Sequence, residues 1–407
     1  VDPTALRQSI VGFGSSFTES AAWVLEQVPG EVRMEIIERL FGSTGAWYTL
    51  TRTSIASSDM GLGSYSYAEQ PDLSDFSVAE DEPDLIPLIL DAMNATDASF
   101  EIVASPWSAP PFMKDNGAYY DPETLYGGQL LPEHYSTFAE YIARYVAAYR
   151  EHGIDVWAVT PENEPEGNSG QWESLEFTPE QMACFIGDHL GPALAESAPE
   201  VRVLVYDHNR NHAEQWVDTL LDDAAAAPFV DGVAVHPYAS TYLVFEDVLD
   251  AIHARLEPDP LLINTEAALV SEPEAFDDWE WWWRISVGGP ESWHDVPEHY
   301  PEYVPVYWYV RDLVVGLNHW LNGWIDWNLA LDRDGLPRHP PDGLTAPVLI
   351  DTDTDQVFYT PLYYVMAHFS RYLRPGARVL ETSAPTGLLA TSAWNPDGTI
   401  AVGVANI

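Results

Sequence analysis

Two short runs, Val159-Thr160-Pro161-Glu162-Asn163-Glu164-Pro165 and Leu261-Leu262-Ile263-Asn264-Thr265-Glu266, each place a glutamate just beyond an apolar stretch. The first run overlaps the end of the apolar stretch Asp155–Thr160, and the second is itself apolar up to Ile263. Both stretches have the length and composition of buried β-strands. In an α/β barrel, the carboxyl ends of parallel strands meet at the same edge. If both runs are such strands, Glu164 and Glu266 emerge at that edge and face one cavity.

The same strand pattern recurs along most of the chain and alternates with helical patterns. Eight strand candidates are Ile10–Gly14, Trp47–Thr53, Phe100–Ser105, Val156–Thr160, Val201–Tyr206, Gly232–His236, Leu261–Thr265 and Gly323–Asn328. Apolar spacing near 3.6 predicts helices at Glu31–Leu40, Pro83–Met93, Pro132–Tyr149, Thr178–Ala195, His212–Ala224, Val244–Ala254 and Val304–Leu321. Eight strand–helix units indicate an α/β fold, a (β/α)8 TIM barrel. A doubly wound sheet is the structural alternative.

The pattern changes beyond Arg374, where short alternating runs are separated by Pro and Gly turns. The runs Arg378–Thr382, Leu388–Trp394 and Thr399–Asn406 predict antiparallel strands. We therefore divide the chain into a catalytic barrel, residues 1–374, and an attached small antiparallel β-sandwich domain of which residues 375–407 are the apparently truncated start. Because the chain begins at Val1 without a methionine, we expect a processed product.

The charge balance is strongly acidic, with 17 basic and 64 acidic residues giving a net charge of −47. Nucleic acid and anionic membranes are therefore improbable partners. The chain has no apolar run long enough for a membrane span, and its one cysteine, Cys184, excludes a disulfide framework. Concentrated salt, with a screening length of ~3 Å at 1 M, would relieve the repulsion between carboxylates. We expect a secreted, extracellular protein of a halophilic organism, with a cytoplasmic location as the alternative.

Enzymatic hydrolysis of a glycosidic bond typically needs two carboxyl groups that face one cavity. A separation of about 5 to 5.5 Å would suit a retaining mechanism, in which one carboxylate attacks the anomeric carbon. Each negative charge would raise the pKa of the other carboxyl, so that one stays protonated as the acid. The residues alone do not say which glutamate plays which part.

Six ordered segments closely resemble glycoside hydrolase family 30, in the branch of glucosylceramidases and β-1,6-glucanases: Gly12–Ala21, Ala104–Pro111, Thr160–Pro165, His236–Tyr238, Thr265–Ala267 and Gly323–Asn328. The resemblance runs from about residue 10 to 400. It implies a barrel with a β-sandwich and a retaining β-glycosidase for β-glucosides, acting on a carbohydrate or glycolipid without a cofactor or metal. A β-xylosidase of the same family and a catalytically silent carbohydrate-binding protein are the alternatives.

The resemblance also implies roles for residues around the two glutamates. Glu164 matches the family's acid/base, and Glu266 matches its nucleophile. Asn163 corresponds to the residue that binds the sugar 2-hydroxyl. Arg52 and Tyr238 match positions that flank the nucleophile, where a cation and a phenol would favour its ionised form.

Five further residues complete the expected sugar site. Asp59 matches a carboxylate that binds outer hydroxyls of the glucose unit, and Trp107 and Trp327 match its aromatic walls. His236 and Trp172 are supporting residues. Trp172 opens a Trp-Glu-Ser run that is more similar to the β-1,6-glucanases, as is the Asp-His-Asn run at 207–209.

Two segments depart from the family pattern. The loop Arg338–Thr345 lacks the usual Asn and Asp, and Pro237 replaces an aromatic residue. A long segment after Glu266 carries five tryptophans, at positions 279, 281, 282, 283 and 293. Aromatic faces stack on sugars, so this segment is either a platform for further sugar or aglycone units or the packing beneath a long loop.

Overall fold

A computed structural model describes residues 1–96, 99–240, 243–256, 261–268, 304–339 and 343–406. The tryptophan-rich segment 279–293 lies outside these ranges, so its expected sugar platform stays a prediction. Within the described residues, no helix combines the length and apolar character needed to cross a membrane.

The predicted barrel is confirmed. After β1 (Asp2–Ser9), eight parallel strands follow one another around a closed barrel, and the last pairs with the first. They are β2 (Gly12–Phe17), β3 (Leu50–Ile55), β4 (Glu101–Pro106), β5 (Ala158–Val159), β6 (Arg202–Asn209), β7 (Gly232–His236), β8 (Leu262–Asn264) and β9 (Gly323–Asp326). Each overlaps its predicted strand.

The barrel interior is a packed core. One apolar residue from each of seven successive strands contributes to a fully buried cluster: Leu50, Val103, Ala158, Leu204, Ala234, Ile263 and Ile325. Strands β2 and β3 approach closely at Gly14, where a Cβ atom would lie only 2.0 Å from the Leu50 carbonyl oxygen. Because the interior is filled, a substrate can enter only at an end of the barrel.

Amphipathic helices cover the outside of the barrel: α1 (Glu19–Glu26), α2 (Gly30–Phe41), α3 (Leu85–Ala95), α4 (Tyr135–Glu151), α5 (Pro179–Phe185), α6 (Gly191–Ser197), α7 (Ala213–Asp222), α8 (Glu246–Leu256), α9 (Val304–Asn318) and α10 (Pro361–Ser370). The helix predicted at Thr178–Ala195 is interrupted, because a π-helical turn separates α5 from α6. Thr178 begins α5 with a capping box in which its side chain accepts from the Gln181 amide.

A small sheet follows the barrel strands along the chain. It consists of β10 (Ala330–Asp332), β11 (Val348–Asp351) and β12 (Gln356–Tyr359), in that order. Strands β11 and β12 form an antiparallel hairpin. The sequence analysis did not predict this sheet, since its strands are only three or four residues long.

The predicted antiparallel strands after Arg374 are confirmed as β13 (Arg378–Glu381), β14 (Leu388–Trp394) and β15 (Ile400–Asn406). Their four-stranded sheet has the order β1-β13-β14-β15, so β1 belongs with the side domain although residues 1–374 were assigned to the barrel. Pairing with β13 explains this placement, and Gln8 joins β1 to the barrel. The buried Gln8 amide donates to the carbonyls of Leu317 and Leu321, at 2.7 and 2.9 Å.

Candidate active site

Both glutamates of the opening runs follow barrel strands at their carboxyl ends. Glu266 lies two residues beyond β8, and Glu164 lies five residues beyond β5. Glu164 has a left-handed backbone with φ of 51°, and its amide donates to the Asp207 carbonyl at 3.0 Å. A non-glycine residue in this region is strained, and such strain clusters at functional sites. The structure thus places both carboxylates at the same end of the barrel.

Arg52, on β3, connects the residues predicted around the nucleophile. Its Nη1 donates to Glu266 Oε2 at 2.5 Å, and its Nη2 donates to Asn163 Oδ1 at 2.8 Å. The guanidinium is fully buried. Burial alone would lower the pKa of Arg52, but the charges of Asp207 and Glu266 raise it overall. Arg52 is therefore a permanent cation at the base of the site.

Tyr238 contacts the second oxygen of the expected nucleophile. Its hydroxyl donates to Glu266 Oε1 at 2.9 Å, so each carboxylate oxygen of Glu266 has its own donor. Burial and the nearby charge of Glu266 raise the pKa of Tyr238 well above its usual value. The phenol consequently remains a donor, and the rotation of the Glu266 carboxylate is fixed from two sides.

Asp207, a residue to which the sequence analysis gave no role, lies at the centre of the site. It accepts hydrogen bonds from five side chains: Arg52, His236, Thr265, Thr160 and Ser105. Burial opposes ionisation, but Arg52 and His236 hold the pKa of Asp207 well below its usual range. A β-bulge interrupts the pairing of β6 with β7 here, and Asp207 has a φ of 58°. The sequence signal that could have identified Asp207 is its position directly after the predicted strand Val201–Tyr206.

His236 joins Asp207 to the expected acid/base. Its Nε2 lies 3.0 Å from Asp207 Oδ1, and its Nδ1 lies 3.1 Å from Glu164 Oε1. Burial alone would lower the pKa of His236, but the negative charge of Glu266 and the hydrogen bonds to Asp207 and Glu164 raise it to about 9. His236 is thus a protonated imidazolium at neutral pH.

This arrangement changes the expected location of the catalytic proton. Repulsion between two carboxylates was expected to keep one of them protonated. Burial does favour the neutral form of Glu164, but the neighbouring imidazoles of His208 and His236 outweigh it and hold the pKa of Glu164 well below its usual value. The proton of the free protein therefore resides on His236, in contact with Glu164.

The two residues expected to be aromatic walls are both buried and pack against each other. Trp107 and Trp327 stack with ring centroids 5.0 Å apart and an interplanar angle of 16°. The Arg52 guanidinium carbon lies 4.6 Å from the Trp107 ring centroid. This cation–π contact links the aromatic wall to the cation that binds Glu266.

Asp59 belongs to a second polar group at the site. Its Oδ2 accepts from Arg338 Nε at 2.9 Å, and the Arg338 guanidinium carbon lies 5.1 Å from the Trp172 ring centroid. Burial raises the pKa of Asp59 to about 6, although Arg338 opposes this shift. The neighbouring His339 Nε2 lies 2.9 Å from Glu173 Oε2. Arg338 begins the loop Arg338–Thr345, in which the sequence departs from the family pattern.

Comparison with known proteins agrees with this geometry. The model of the family described as "Glycosyl hydrolase family 30 TIM-barrel domain" matches residues 10–373. The lysosomal acid glucosylceramidase of Mus musculus is 31% identical over an alignment that covers 100% of this chain and 76% of that protein. The endo-1,6-beta-D-glucanase neg1 of Aspergillus fumigatus is 28% identical, with 98% and 79% covered.

Two solved structures have closely similar folds. SrfJ from Salmonella typhimurium has a TM-score of 0.85 and 30% identity, covering 99% of this chain and 84% of that one. The endo-beta1,6-glucanase BT3312 has a TM-score of 0.85 and 25% identity, covering 100% and 86%. The chain belongs to glycosyl hydrolase family 30, and it is a retaining β-glycosidase.

Proposed function

We propose that Glu266 is the nucleophile of this glycosidase and that Glu164 is its acid/base. The observation that carries this assignment is the difference between their surroundings. Both oxygens of Glu266 are fixed by donors, Arg52 and Tyr238, which cannot deliver a proton readily. Glu164 instead contacts the protonated His236 at 3.1 Å. One carboxylate is positioned to attack, and the other is in contact with a source of protons.

In the first step, Glu266 attacks the anomeric carbon and forms a glycosyl ester. The proton that resides on His236 passes to Glu164 through the Nδ1 contact, and Glu164 delivers it to the leaving oxygen. In the second step, Glu164 removes a proton from water, the resulting nucleophile cleaves the ester, and the proton returns to His236. Two displacements retain the anomeric configuration.

Asn163 is well placed to assist both steps. Because its Oδ1 accepts from Arg52, its Nδ2 group is the part of the amide left to donate. A hydrogen bond from this group to the sugar 2-hydroxyl would strengthen as positive charge develops on the ring. Arg52 therefore orients the nucleophile and the 2-hydroxyl contact together.

For the substrate, we propose a β-1,6-linked glucan, with glucosylceramide as the second candidate. The similarity of the 172–174 and 207–209 runs to β-1,6-glucanases and the match to BT3312 support the first. The 31% identity to a mouse glucosylceramidase supports the second. Hydrolysis of a β-1,6-glucan, a glucosylceramide and an aryl β-xyloside by the same preparation would rank these substrates.

Both proposals require turnover. Binding of gluco-oligosaccharide without any product, in low and in molar salt, would instead indicate a silent carbohydrate-binding protein.

We also propose that the protein works outside the cell of a halophilic organism. The net charge of −47 supports the halophilic part of this proposal, because molar salt screens repulsion between surface carboxylates. The melting temperature and activity should rise between dilute and molar KCl. A fall of both over this range would contradict the proposal.

A further inference from the structure

A buried histidine nitrogen lies unpaired beside the acid/base. His208 is 7% exposed, and its Nδ1 has no hydrogen-bond partner among the described residues. This atom lies 3.6 Å from Glu164 Oε1, beyond hydrogen-bond length. Burying such an atom without a partner costs free energy, so its position calls for a ligand.

His236 completes a group of three ligand-type side chains. Its Nδ1 lies 3.1 Å from the same Glu164 oxygen, and one ligand atom from each of Glu164, His208 and His236 lies within 4.8 Å of the others. Ligand atoms ~2.0 to 2.1 Å from a tetrahedral ion are themselves about 3.3 Å apart. The two measured distances bracket this value.

The outer contact of His236 also suits metal binding. Histidine ligands commonly place the nitrogen that does not bind the metal against a carboxylate, which orients the ring. His236 Nε2 lies 3.0 Å from Asp207 Oδ1, whereas His208 Nε2 lies 3.7 Å from Glu166 Oε2 without a hydrogen bond. In both rings, Nδ1 is the nitrogen near Glu164, and an ion that binds there displaces the His236 Nδ1 proton to solvent.

We propose that Glu164, His208 and His236 bind one divalent transition-metal ion of the zinc class, and that the bound ion blocks hydrolysis. Two imidazole nitrogens and one carboxylate favour zinc or copper over magnesium and calcium, which prefer oxygen ligands. An ion bound to Glu164 Oε1 and His236 Nδ1 replaces the proton between these two atoms, so Glu164 can no longer deliver it to the leaving group. The binding half of the proposal stands on the geometry alone, and the inhibitory half rests on the proposed role of Glu164.

The test uses chelator-treated protein, titrated calorimetrically with ZnCl2 in excess Mg2+, which occupies surface carboxylates. We expect one zinc ion per chain. CoCl2 should give the intense visible absorption of a tetrahedral site. His208→Asn should weaken zinc binding at least ~100-fold, since loss of an outer partner alone costs ~10 to 100-fold.

His319→Asn is the matched control, because His319 also pairs with a carboxylate, Asp250, at 3.0 Å. It should bind zinc like the wild type. The proposed metal site would be refuted if His208→Asn and His319→Asn bound zinc with equal affinity. It would also be refuted if cobalt in the wild type gave the weak visible absorption of an octahedral complex.

Inhibition is measured separately, with the zinc concentration for half-inhibition expected to equal the calorimetric dissociation constant. Full activity at zinc saturation would overturn the inhibitory half. If the metal-free protein hydrolyses none of the substrates, the proposed function is wrong. The calorimetric and cobalt results would still show whether the three residues bind a metal ion.

Discussion

Arg52 Nη2 lies 2.6 Å from Asp207 Oδ2, and neither side chain is exposed to solvent. This ion pair lies beneath the site, because Arg52 extends to Glu266 and Asp207 extends to His236. A continuous chain of polar contacts thus joins Glu266 to Glu164. Loss of any member leaves a buried charge without its partner, so stability and activity should respond together.

Replacement of Arg52 by Lys should sharply reduce both. A lysine ammonium cannot form the planar fork that reaches both carboxylates. Lysine keeps the charge but leaves a buried carboxylate without its donor, which typically costs about 1 to 3 kcal/mol, and we expect at least this loss in the free energy of unfolding measured in urea. Arg255→Lys is the control, because Arg255 bridges two exposed residues, Asp218 and Asp222. Equal stability losses in both variants would contradict this prediction.

His236 should set the alkaline limit of activity. Its pKa of about 9 means that kcat/KM falls as the pH rises through 9 and the proton leaves. The folded-state pKa lies above the ordinary value of about 6.5. The imidazolium therefore stabilises the fold fully below 6.5, and this contribution is lost as the pH approaches 9. In a pH–rate series, His236→Asn should lack this limb, and an unchanged limb would refute the assignment.

Protonation of Asp59 should make KM depend on pH, independently of His236. Because burial raises its pKa to about 6, Asp59 gains a proton as the pH falls through 6, and a neutral carboxyl would accept more weakly from the sugar hydroxyls that we expect it to bind. The folded state binds this proton more readily than the unfolded state, so protonation stabilises the fold while it weakens binding. KM should rise below pH 6 in the wild type. In Asp59→Asn it should be high at every pH, and a wild-type profile in that variant would exclude the role.

Replacement of Glu164 by Gln should separate the two steps. Removal of an acid/base typically costs ~10² to 10⁴ in rate, and the loss should be largest for leaving groups that need protonation. Dinitrophenyl glucosides need little protonation, so they should still form the glycosyl ester. Added azide should then restore turnover and give a β-glucosyl azide. Equal losses for good and poor leaving groups would contradict an acid role.

The sequence pattern predicted the barrel and placed Glu164 and Glu266 at one end, because strand length and the position after a strand are local properties. The pairing of β1 with β13 could not be read from the pattern, since it joins residues more than 360 positions apart. The central position of Asp207 depends on a β-bulge, which moves one side chain without altering the apolar pattern. The protonation of His236 could be inferred only from its contacts with Asp207 and Glu164 and from the nearby charge of Glu266.

The most direct test of the mechanism is to trap the glycosyl ester. A 2-deoxy-2-fluoro β-glucoside with a good leaving group slows hydrolysis of the ester more than its formation, so the intermediate accumulates. Peptide mass spectrometry should then find one fluoroglucosyl group on Glu266, and none in Glu266→Gln. A label on Glu164 or another carboxylate, or release of an α-configured product without any label, would contradict the account.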